Sequence, residues 1–272
     1  MPSFAVSISI LGLVQAALVA LPRWRPLPWL GRLRSPWWAL IPALSIAAVV
    51  ALVELNSDSA TVLAWLALLA VPPLAALALA WLVHGSRPGW ALAVPPLFAL
   101  AWVARDALAG QAAATALSAL ACVTLGWLLV SVVPSLWLRL GVYAMAAIDA
   151  YYVFSNLLQE PNAVLSAAVP AAGLPRLQAV HLGSAQMGFG DLFVAALVGC
   201  LLAQPADGPK CHARRDISAR RQWVAAGLVA VLALAFDLLF FAVDQLPATV
   251  PVAAALAAVT TIERRRRQAP QL

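Results

Sequence analysis

Charge is what this sequence has least of. Asp, Glu, Lys and Arg together make up 10% of its 272 residues, against 64% hydrophobic. A water-facing surface on a domain of this length needs more charge than that, so a soluble globular fold is excluded. Cysteine is scarce: Cys122 and Cys200 stand in apolar runs and Cys211 in a basic loop, with neither metal-like spacing nor a disulfide framework. His84, His181 and His212 are the three histidines, and none has a second ligand near it in sequence, so no metal is expected. The net charge of +6 does not indicate nucleic acid, because the basic residues form short clusters between apolar runs instead of one patch.

What remains is a series of long apolar runs, the pattern of a multi-spanning membrane protein. Breaks at Pro, Gly and charge divide the chain into nine expected spans: 3–21, 37–55, 60–83, 91–105, 112–133, 140–158, 183–203, 223–243 and 246–262. The fourth is short and contains Pro95 and Pro96. No Lys or Arg precedes the first span, whereas Arg23, Arg25, Arg32 and Arg34 follow it, which favours an uncleaved span over a signal peptide. With the N-terminus outside, 15 of the 17 basic residues fall in inside segments, leaving only Arg105 and Arg176 outside. That bias sets an N-out, C-in orientation.

The expected fold is therefore an all-α, nine-helix membrane bundle, one polytopic domain over residues 1–272. Residues 1–133 read as scaffold helices, 134–262 as the functional helices six to nine, and 263–272 as a basic cytoplasmic tail. The outer connection 159–182 is apolar and broken by prolines, as in a re-entrant or interfacial segment. Tryptophans near span ends, among them Trp24, Trp37, Trp90 and Trp223, read as an interfacial belt. The alanine and arginine bias suits a GC-rich prokaryotic genome and a multi-pass protein of the cell membrane.

An ionised carboxylate at the bilayer centre costs about 2.5–3.5 kcal/mol on insertion scales. Eight of the eleven acids avoid that cost at span ends or in loops, and three do not: Asp149, Asp191 and Asp237. Asp149 lies nine residues before the end of the sixth span and Asp191 eight after the start of the seventh. Both then sit about 12–14 Å below the same surface, level on neighbouring helices. Two carboxylates close together in a low-dielectric site share one proton, which supplies acid and base without metal or cofactor. A polar pair that glues helices together also satisfies this pattern.

The residues around the acids resemble one family. "GFGD", Gly188-Phe189-Gly190-Asp191, matches the GxGD motif of intramembrane aspartyl proteases, and "GFGDLFVAALVG" is similar to the seventh-span signature of the presenilin and signal peptide peptidase family. "IDAYYVF" around Asp149 resembles that family's first aspartate motif, and "LPATVP" its Pro-Ala-Leu motif, as Pro247-Ala248-Thr249. Nine spans with acids on the sixth and seventh are also the family's pattern. The resemblance implies that Asp149 and Asp191 are the catalytic dyad of a cofactor-free protease. It also implies that Gly188 and Gly190 allow close backbone approach beside Asp191, and that Pro247 and Ala248 seat an extended substrate. Two departures stand out: Ile148 replaces the tyrosine before the first aspartate, with Tyr151 and Tyr152 as the nearest hydroxyls, and Thr249 replaces leucine.

Within this family presenilins place the loop between the acid-bearing spans in the cytosol and signal peptide peptidases place it outside. The charge bias gives the second arrangement. The expected substrates are transmembrane peptides or single-span proteins with a cytoplasmic N-terminus, such as signal peptides or type II anchors. Other readings are a prepilin-peptidase-like GxGD protease, a proton-coupled transporter using Asp149, Asp191 and Asp237, and a non-catalytic binder of single-span proteins. For Asp237 the expectations are a polar contact to another helix or an influence on the dyad.

Overall fold

A computed structural model describes residues 4–27, 29–42, 44–45, 48, 51–52, 58–155, 168, 173–205, 213–238 and 246–268. The eight longer helices among the described residues are α1 (Phe4–Ala20), α2 (Asp58–Leu77), α3 (Val94–Val103), α4 (Leu108–Val132), α5 (Ser135–Phe154), α6 (Phe189–Ala203), α7 (Ala213–Asp237) and α8 (Thr249–Gln268). One antiparallel hairpin, β1 (Ala179–Leu182) and β2 (Ala185–Gly188), precedes α6. The chain is thus a mostly helical, membrane-like protein. Among the described residues, helical stretches at Ser59–Leu82, Leu108–Val132 and Ser218–Asp237 are long and apolar enough to cross a bilayer. Shorter apolar helical stretches lie at Phe4–Ala20, Pro88–Val103 and Phe189–Ala203. Eight of the nineteen residues of the expected second span, 37–55, and over half of the connection 159–182 lie outside the described residues.

Helix α6 is the core of the bundle. It packs against α1, α4, α5, α7 and α8, and Leu192 together with Val194 through Ala203 is buried. A helix apolar on every side belongs in the interior. Small residues permit the closest approaches. A Cβ on Gly199 would stand 2.5 Å from the Leu18 carbonyl oxygen of α1, and one on Gly126 of α4 would stand 3.0 Å from the Leu197 nitrogen. These crossings bring backbone against backbone, where dispersion and polar contacts hold membrane helices together.

Buried polar side chains secure the same crossings. Gln222 of α7, 2% exposed, donates to the carbonyl oxygens of Pro22 (2.7 Å), Gly199 (3.2 Å) and Val19 (3.4 Å). Pro72 and Pro73 interrupt the hydrogen bonding of α2, which continues into a π-helical turn at Ala78–Leu82. Thr124 Oγ1 of α4 donates to Leu74 O nearby at 2.7 Å. At the opposite end of α6, Arg221 donates to the carbonyls of Gln204 and Leu202 at 2.7 and 3.1 Å and pairs with Glu263 at 3.3 Å. These bonds cap the last turn of α6 and satisfy carbonyls that a helix terminus leaves open.

Helix α5 starts at Ser135 instead of 140, α8 runs on to Gln268 into the expected tail, and two further elements differ more from the hydropathy reading. The segment 183–188, expected to begin a helix, is a turn and strand. Gly183 takes φ 62° in the two-residue turn between Leu182 and Ala185, and Gly188 pairs with Ala179 at the strand's end. Small apolar residues carry no periodicity that separates strand from helix over so short a run. Helix α7 begins at Ala213, ten residues before the expected 223, because its basic first turns continue the helix beyond the apolar stretch.

Candidate active site

The two aspartates reach one cavity from helix ends. Asp149 is five residues before the end of α5 at Phe154, and Asp191 is the third residue of α6. The hairpin moves the start of α6 to Phe189, so Asp191 sits in the first helical turn instead of mid-helix. There its Oδ2 accepts the Gly188 backbone N–H at 3.1 Å. That is half of a capping box, and a carboxylate in this position also suits the helix dipole. A Cβ on Gly188 would lie 3.1 Å from the same oxygen, so glycine leaves room for the carboxylate; a Cβ on Gly190 would meet nothing within 4 Å. Of the two motif glycines, only Gly188 lies tight against the Asp191 carboxylate.

Asp149 has its own donors. Thr249, 4% exposed at the start of α8, gives its hydroxyl to Asp149 Oδ2 at 2.6 Å and its backbone N–H at 3.3 Å. Tyr151 is exposed, and its ring meets Tyr152 edge-on with centroids 5.9 Å apart. The hydroxyl beside Asp149 therefore comes from the residue that departs from the Pro-Ala-Leu pattern and not from either tyrosine. Pro247 is buried just before it, and its carbonyl accepts the Val250 N–H at 3.2 Å, which tightens the turn leading into α8.

Asp149, Asp191, Ala248, Phe189 and Gly190 line one cavity of about 1150 Å³. Asp237, at the end of α7, lines it too and accepts a 2.9 Å hydrogen bond from Ser9 Oγ of α1. The wall is otherwise mainly apolar, with residues of α1, α2, α4 and β2 completing it. In such surroundings carboxylates interact more strongly than in water.

Hydropathy sorting of acids does not reveal Gln15. This side chain, 2% exposed in α1, donates from Nε2 to Ala248 O at 3.2 Å and to Asp191 O at 3.4 Å. It ties the turn before α8 to the backbone of Asp191 on α6. The available signal was the polar set Ser7, Ser9 and Gln15 inside an apolar run, because polar residues in membrane helices mark helix contacts.

The hairpin is fastened to α4. Gly183 N–H donates to Gln111 Oε1 at 2.7 Å, and Ser118 Oγ donates to Leu177 O at 3.1 Å. His181 on β1 lies outside the helices; burial first, and the Arg176 charge second, hold its imidazole below the ordinary histidine value. Among the described residues no three of His, Cys, Asp and Glu converge as a metal site requires. Searches against models of known families, curated proteins and solved structures find no match to this chain.

Proposed function

We propose that the chain is an intramembrane aspartyl protease of the presenilin and signal peptide peptidase type, with Asp149 and Asp191 as its dyad. One observation carries the reading: the carboxylates of Asp149 and Asp191, from different helices, line a single, mostly apolar cavity. In the reaction the ionised carboxylate takes a proton from water while the protonated one donates to the scissile carbonyl oxygen. The attacking oxygen forms the new C–O bond, the tetrahedral intermediate collapses, and the amine leaves with a proton from the dyad. A cavity of about 1150 Å³ has room for several residues of unwound chain.

A transmembrane substrate must unwind before hydrolysis, because its peptide groups are hydrogen-bonded within the helix. Strand β2 pairs with β1 along one edge and ends at Gly188, three residues from Asp191. Its second edge supports the idea that an unwound segment is held by strand addition. Under this reading the protein is a nine-span, N-out and C-in protein of a prokaryotic cell membrane. Its substrates are signal peptides or type II anchors with a cytoplasmic N-terminus. The test pairs reporter fusions within 159–182 with liposome assays on single-span peptides of both orientations. Outside reporters and preferential cleavage of the type II orientation are expected; cytoplasmic reporters overturn the topology.

Asp237 in the same cavity is what a proton-coupled transporter would use. The assay separates the two: a transporter moves protons in liposomes and leaves every peptide intact.

A further inference from the structure

The dyad residues share one hydrogen-bonded connection. Thr249 Oγ1 and N both donate to Oδ2 of Asp149, at 2.6 and 3.3 Å. The residue before it, Ala248, offers its carbonyl to Gln15 Nε2 at 3.2 Å, and the same nitrogen lies 3.4 Å from the carbonyl oxygen of Asp191. Asp191 therefore connects through Gln15 and the Ala248–Thr249 peptide to the carboxylate of Asp149. Four helices, α1, α5, α6 and α8, contribute to a path that crosses no loop longer than this turn. Both connecting side chains are almost fully buried, Gln15 at 2% and Thr249 at 4% exposed, so water does not compete strongly for these donors.

The chemistry explains why a hydroxyl is useful here. Asp149 Oδ2 accepts both a backbone N–H and a hydroxyl, which together hold the carboxylate in one orientation. Asp191 Oδ2 is engaged likewise by Gly188 N–H. Each carboxylate thus has one oxygen held by protein donors. With leucine at 249 the side-chain donor is lost and only the backbone N–H remains for Asp149.

We propose that Thr249 and Gln15 are positioning residues that set the orientation of the two carboxylates relative to one another. The proposal rests on the protease reading of Asp149 and Asp191. Positioning acts on the reacting geometry more than on capture of the substrate, and a misplacement of about 1 Å can cost about 100-fold in rate. Substitution therefore lowers kcat and leaves KM nearly unchanged.

The experiment measures kcat and KM on one type II anchor peptide in liposomes for wild type, Asp149→Asn, Thr249→Val, Thr249→Ser, Gln15→Leu and the Thr249→Val/Gln15→Leu double variant. Thermal unfolding in detergent accompanies each, and Thr249→Ala replaces the valine variant if that does not fold. Expected are kcat losses on the order of 10- to 100-fold for Thr249→Val and Gln15→Leu, with KM within about threefold. Thr249→Ser keeps most of the rate because it keeps the hydroxyl. The double variant is little worse than the poorer single one, since both break one connection. Wild-type rates in Thr249→Val and Gln15→Leu, beside a silent Asp149→Asn, overturn the positioning proposal alone. So does a serine variant as slow as the valine one, a rise in KM at constant kcat, or fully multiplicative losses in the double variant. A wild-type chain that cuts nothing defeats the protease reading itself, and the proposal with it.

Discussion

Gly199→Ala isolates the packing that holds Asp191 in place. The new methyl group would stand 2.5 Å from Leu18 O, 2.7 Å from Val19 O and 2.9 Å from Val19 Cα, all in the backbone of α1. Ordinary contact begins at 3.4 Å, so α6 and α1 must part by roughly 0.9 Å at this level. Overpacking of this kind costs about 1–3 kcal/mol, and contact with rigid backbone puts the cost near the upper end. Alanine's better helix propensity offsets about 1 kcal/mol, leaving a net loss of about 2 kcal/mol. Gly227→Ala is the control, because nothing lies within 4 Å of a Cβ there. Unfolding in mixed micelles by rising SDS, followed by tryptophan fluorescence, measures both. The strain also reaches the site: Gly199 is eight residues from Asp191, about 12 Å along α6, and parting from α1 lengthens the 3.4 Å contact of Gln15 with Asp191 O. Peptide cleavage should fall in Gly199→Ala and not in Gly227→Ala. Equal stability of Gly199→Ala and wild type would refute the argument that these backbones are in contact.

Further outcomes follow from other contacts. Gln222→Leu removes the donor shared by Val19, Pro22 and Gly199, and should cost about 1–3 kcal/mol in the same unfolding assay. Gly190→Ala should leave stability at or slightly above wild type, because its Cβ has open space, yet reduce cleavage, because that space belongs to the cavity. His181 titrates below its ordinary value of 6.5, so the unfolded chain takes up a proton before the folded one does. Its contribution is intact above about pH 6.5 and is lost as pH falls from there through the lower folded value. Thermal stability should therefore drop between pH 7.5 and pH 5, and drop less in His181→Gln.

The apolar runs made helix and membrane character legible, and the scarcity of acids directed attention to Asp149, Asp191 and Asp237. Periodicity did not expose the hairpin, since "AVHLGSAQMG" is small and apolar in either conformation and its turn depends on a positive φ at Gly183. Depth counting placed Asp191 mid-helix for the same reason: the helix starts later than its apolar run. Thr249 was visible as a departure from a motif, but its hydroxyl bond to Asp149 depends on how α8 meets α5, which no local pattern encodes. Gln15 was hidden differently. It is an uncharged residue 176 positions from its partner, and only the crossing of α1 over α6 brings them together.

The central claim is that Asp149 and Asp191 act as one catalytic unit on substrates in lipid. The most direct measurement incubates purified wild type, Asp149→Asn and Asp191→Asn with a type II anchor peptide in liposomes and weighs the products. The account predicts cuts inside the anchor by wild type and none by either single variant, each of which also remains folded. Cleavage that persists in either variant, or an intact peptide with all three proteins, would contradict it.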